Sequence, residues 1–254
     1  MRKMSLLLLV VVGLQVLLVS PPVQRVDILG RVLTGPVLHF IYAVVATAIL
    51  CKIRREKLGV LRWSRPFHLA TGIVFGAATP AAVFLIGLAC HSVAITPQAA
   101  LPMGFSFLTI AFAFVAFGEE ILWRGLVFRL LEHQWGFALA AVISSAAFGG
   151  MHMIPAGRSL GLFGLLNLIL LGGVFCLLYR RAKTLWLPIG FHFSWNVTQV
   201  ALSPLLTSTG SFLTRNTYFG VEGWPLSSLV LAVLVIALLP WGLTRYDKAR
   251  RLSN

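Results

Sequence analysis

Apolar residues run along this chain in long stretches separated by short polar segments. Eight stretches approach or exceed membrane-spanning length, at 4–20, 34–51, 68–90, 103–130, 136–153, 159–179, 185–205 and 227–244. A helix needs about twenty such residues to cross a hydrocarbon core of about 30 Å. In lipid the backbone must satisfy its own hydrogen bonds, so single apolar segments cross as helices. The pattern predicts an all-α fold, a polytopic transmembrane bundle of about eight helices. The first stretch follows Met1-Arg2-Lys3, as the core of a signal peptide would. Ser20 is followed by Pro21-Pro22 with no small-residue cleavage site, so an uncleaved anchor is expected.

Composition agrees. Of 254 residues, 58% are hydrophobic and 11% charged, where soluble domains carry about 25% charged residues. The net charge of +14 would suit a nucleic-acid partner, but Lys and Arg cluster between the apolar runs, where they hold a topology. With both termini cytoplasmic, sixteen basic residues fall in inner segments and four in outer ones, with Arg124 inside a span. That bias predicts this orientation; the expected location is a bacterial inner (plasma) membrane, with lipid as a partner and no nucleic acid. Cys51, Cys90 and Cys176 lie in or beside apolar runs without CxxC spacing and read as small core hydrophobes.

An ionisable side chain at the centre of a span costs about 2.5–3.5 kcal/mol on insertion scales, so the polar residues inside the runs carry the information. Glu119, Glu120 and Arg124 form the first cluster. Glu120 and Arg124 are four apart, share a helix face and can pair, with the acid N-terminal. Glu119 points about 100° away. It is a surplus charge in low dielectric, which needs a distant partner or a changed proton affinity. Phe148 and His152 form the second cluster, one turn apart across Gly149-Gly150. In the third, His192 and Asn196 share a face beyond Pro188 and Gly190. Each of the last two could be interhelical hydrogen-bond glue. His39, His68, His91 and His133 lie near span ends and read as interfacial, while Asn167 reads as packing glue.

Together the clusters would supply a carboxylate, two imidazoles and an amide from three spans. Such a set suits water activation by a carboxylate with one imidazole holding the water, while a second imidazole and a carboxamide donate hydrogen bonds to an oxyanion. Zinc is possible as a cofactor, since Glu119, His152 and His192 could supply three ligands and leave a fourth position open. Straight helices would place His192, Glu119 and His152 at different depths, so tilted or broken helices are required for them to meet.

The ordered set E-E-x-x-x-R, F-x-x-x-H and H-x-x-x-N resembles the three motifs of the type II CAAX prenyl endopeptidase and bacteriocin-processing family, the CPBP or Abi proteins. The run L-W-L-P-I-G-F-H-F-S-W-N from Leu185 to Asn196 also looks like that family's approach to its third motif. The resemblance implies an eight-helix bundle and an intramembrane endopeptidase acting on a peptide or membrane-protein substrate. It implies Glu119 as the water-activating base and His152 as the group holding the water. His192 and Asn196 would form the oxyanion hole, with Glu120, Arg124 and Phe148 in support. A metal-free glutamate mechanism is favoured, with no cofactor. The chain then divides into N-terminal helices at 1–100, a catalytic core at 101–205, and an outer loop, last span and basic tail at 206–254. A non-proteolytic scaffold or bacteriocin-immunity factor on the same fold is the alternative. A proton-coupled transporter is a third reading, disfavoured because no internal repeat is visible.

Overall fold

The computed structural model describes residues 28–54, 67–96, 101, 104–156, 161–211, 213 and 223–251. The span expected at 4–20 and most of the loop after Lys52, expected to be inner, lie outside the described residues. Among the described residues seven α-helices follow in order: α1 (Ile28–Arg54), α2 (Phe67–Ala89), α3 (Phe105–Glu120), α4 (Arg129–Ala156), α5 (Gly161–Ala182), α6 (Trp186–Leu202) and α7 (Pro225–Arg251). Between α3 and α4 the helix widens to π geometry over Ile121–Phe128. The expected all-helical membrane architecture is present. Phe67–Ala89, Phe105–Met153 and Gly161–Ala182 are long and apolar enough to cross a membrane, and Gly35–Ile49 and Pro225–Pro240 are shorter apolar helices.

Two features depart from the sequence pattern. The interval expected to separate the spans at 103–130 and 136–153 is not a loop. The helix continues through it and turns at Gly136, which has φ 76° and ψ 174°. That conformation is open in practice to glycine alone. Beside the break, Arg180 of α5 bonds Glu132 and lies over the Phe137 ring at 4.5 Å. These contacts tie the start of α4 to the end of α5, although His133 and Trp135 between them stay exposed. The second feature is a two-stranded antiparallel ribbon, β1 (Val93–Ile95) with β2 (Leu206–Ser208). It links the chain leaving α2 to the chain leaving α6.

Glycine decides how closely α2 and α6 approach. A Cβ at Gly72 would collide with the Leu187 carbonyl, one at Gly76 with that of Phe191, and one at Gly190 with that of Leu69. Small residues let helices dock in lipid, where no hydrophobic force between them exists. The same device brings Gly172 of α5 against Ser145 of α4. Asn167 behaves as the packing glue expected of it. Its Nδ2 donates to the Trp224 carbonyl at 2.9 Å, and its Oδ1 accepts from Ser228 Oγ at 2.5 Å. Trp123, Phe128, Phe148, Phe175, Phe191 and Trp195 are fully buried, whereas Val74, Leu85, Val142, Leu162 and Ile236 face outward, as lipid contact requires. Cys176 is buried as expected, but Cys90 is exposed, because α2 stops at Ala89 and Cys90 falls in the turn that follows. The side chain of Cys51 lies outside the described residues.

Candidate active site

The site is built where α3 passes into the π segment. Glu119 and Glu120 are the last residues of α3, and π turns of this kind occur frequently at functional sites. Glu120 and Arg124 are both fully buried. Arg124 Nη1 donates to Glu120 Oε1 at 3.0 Å, and Nη2 donates to the Gly172 carbonyl at 3.2 Å. The guanidinium lies against two rings, 4.5 Å from the centroid of Phe148 and 4.7 Å from that of Phe175. Cation–π contact of this sort partly replaces the lost hydration of a buried cation.

Glu119 faces elsewhere. Its Oε1 lies 3.8 Å from His152 Nε2, and its Oε2 lies 3.8 Å from His192 Nε2. Each imidazole is held through its other nitrogen. His152 Nδ1 is 2.8 Å from the Phe148 carbonyl, and His192 Nδ1 is 3.0 Å from Glu120 Oε1. Both partners only accept here, so the hydrogen-bond network assigns N–H to Nδ1 in each ring. In the neutral form each Nε2 then presents a lone pair toward Glu119. Phe148 packs on His152 with ring centroids 4.7 Å apart, and Phe175 stacks on His192 at 4.9 Å and 21°.

The structure therefore brings together Glu119, Glu120, Arg124, Phe148, His152 and His192. Asn196 lies one turn along α6 from His192 and is buried. The π segment and the break at Gly136 both lie on the chain between Glu119 and His152. Among the described residues, no group of three His, Cys, Asp or Glu side chains is arranged to hold a metal ion.

One contact and two residues escaped the sequence pattern. The bond from His192 to Glu120 spans 72 residues, and Phe175 carries no motif. His39, expected at an interface, is buried at 6% exposure with its ring against Gly118. α1 packs on α3, which draws position 39 into the bundle. His91 and His133 are exposed and His68 is half-buried, in keeping with positions near helix ends.

Comparison with known proteins places this site in context. Residues 101–198 match the family model of the type II CAAX prenyl endopeptidases, Rce1-like, and that stretch contains all three motifs. The chain is also 34% identical over 84 residues to YdiL of Bacillus subtilis (strain 168), a protein named as a candidate membrane peptidase. That match covers 33% of this chain and 32% of the relative. The resemblance drawn from the motifs holds over the central stretch of an integral membrane protein.

Proposed function

We propose that this protein is an intramembrane endopeptidase of the type II CAAX class, with Glu119 as the base that activates water. The observation that carries the reading is the division of labour between the two glutamates. Glu120 is engaged by Arg124 and His192, while each oxygen of Glu119 faces an imidazole Nε2. At 3.8 Å these pairs are beyond direct hydrogen bonding, and one water can reach a carboxylate oxygen and a ring nitrogen together.

In the reaction Glu119 takes a proton from that water, and the His152 Nε2 lone pair holds it. The water oxygen bonds to the scissile carbonyl carbon, and the oxyanion that forms accepts hydrogen bonds from Asn196 and His192. His192 must carry a proton on Nε2 as well as on Nδ1 to donate there, and Glu120 Oε1 lies 3.0 Å from that Nδ1. The C–N bond then breaks as Glu119 returns its proton to the leaving nitrogen. A zinc-dependent version would need Glu119, His152 and His192 to draw together as ligands, since the described residues are not arranged around an ion.

The test is Glu119→Gln in the full chain, reconstituted in vesicles with a prenylated CAAX peptide and an unmodified transmembrane peptide as probes. The variant is expected to fold and to lose cleavage. Cleavage at the native rate would remove the reading and move the weight to a scaffold on the same fold. The metal-free version is expected to retain activity in strong chelator, with no stoichiometric metal by elemental analysis. We also propose eight spans with both termini cytoplasmic, in a bacterial inner membrane. Single cysteines placed in 52–66 and in 206–226 of a cysteine-free chain should label from opposite sides, and labelling from one side would refute the orientation.

A further inference from the structure

We infer that His39 of α1 is a positioning residue of this site: seated on the backbone of Gly118, its imidazole keeps the adjoining Glu119 carboxylate aimed at His152 and His192. The inference rests on the reading of Glu119 as the base. It assigns a role to a helix that lies outside the matched stretch and carries none of the three motifs.

The first observation is the polarity of α1. His39, Ala43 and Thr47 are buried at a spacing of four, which marks one inward face. Leu38, Ile41 and Val45 point outward and are exposed. An apolar residue at position 39 would fill the same space without desolvating an imidazole, a cost that burial imposes unless polar interactions offset it.

The second is the closeness of approach. A Cβ at residue 118 would lie 2.6 Å from His39 Cδ2 and 3.1 Å from Nε2, so the ring occupies space that only glycine leaves open. Residue 118 is bonded directly to the proposed base, and a shift of the ring moves the peptide that carries Glu119.

The third is charge. His39 lies within electrostatic reach of Glu119, His152 and His192, and Glu119 within reach of these three imidazoles and Arg124. Glu119 Oε2 is buried and accepts no hydrogen bond from the described residues. A carboxylate so held depends on surrounding groups for its direction, the usual task of residues one layer behind a reacting atom.

The experiment compares His39→Met, His39→Phe and His39→Gln in the full chain, with whichever peptide the native protein cleaves. Met and Phe keep the bulk and remove the ring nitrogens, while Gln restores a polar group. For Met and Phe, kcat should fall about 10–100-fold, the range for loss of an outer-shell partner. KM and thermal midpoint should hold, and Gln should recover most of kcat. Gly118→Ala, whose Cβ would meet the ring and, at 3.0 Å, the Phe40 Cα of α1, should lower kcat as well. Native kcat in His39→Met would overturn the proposal. So would equal losses in all three variants with a lowered midpoint, or failure of all three to accumulate, since each assigns the side chain to packing alone. Native-like His39→Met beside an inert Glu119→Gln would defeat this inference and leave the base untouched. Native cleavage by Glu119→Gln would defeat the base itself.

Discussion

Two adjacent glutamates sit in two different worlds. Glu120 belongs to a closed cluster in which Arg124, the Gly172 carbonyl, His192 and the rings of Phe148 and Phe175 surround the charges, with Glu120 and Arg124 fully buried. Glu119, one residue earlier, keeps 14% of its side chain exposed and meets two imidazoles at 3.8 Å. Charge in the first cluster is neutralised and fixed by direct bonds. In the second it is left within one water of its partners. The closed cluster is not inert, because Glu120 also fixes His192, whose other nitrogen faces Glu119. One carboxylate holds the architecture and orients an imidazole, and the other is the base of the proposed reaction.

Breaking the closed cluster should have the largest effect. Arg124→Ala leaves Glu120 buried without its cation, for which about 3–5 kcal/mol is usual when one member of a buried pair is removed. Thermal unfolding in detergent should show a much reduced midpoint and low folded yield; a well-folded, active variant would contradict the division. Arg124→Lys should fall between, since an ammonium lacks both the planar fork and the flat stacking surface. The open cluster should respond in turnover instead. Asn196→Ala removes one proposed oxyanion donor, and kcat should drop about 100–1000-fold, or about 2.7–4 kcal/mol, with the folded yield kept. The smallest effect serves as the control. Asn167→Ala loses the bonds to Trp224 and Ser228 and strands the Trp224 carbonyl, at about 1–3 kcal/mol. Its midpoint should fall while activity per folded molecule stays native, and a loss of kcat there would blur the comparison.

Much of the fold was legible because its causes are local. Apolar runs must be helical in lipid, so the segments at 34–51, 68–90, 159–179, 185–205 and 227–244 each coincide with a helix. Helical spacing also put Glu120 opposite Arg124, His152 one turn from Phe148, and Asn196 one turn from His192. The join between α3 and α4 was not legible, because a polar interval reads as a loop whether or not the chain leaves the bundle. There Glu132 is paired with Arg180, 48 residues away.

The sequence by itself determined that the chain spans a membrane, which residues are too polar for their surroundings, and which of them share a helix face. Tertiary structure alone decided that three such faces meet. Gly72, Gly76 and Gly190 permit α2 to seat α6, the break at Gly136 turns His152 back toward Glu119, and α1 brings His39 to Gly118. The physical reason is one of range. Helical periodicity is written into neighbours three or four residues apart, whereas the docking of helices depends on close packing between segments tens of residues apart.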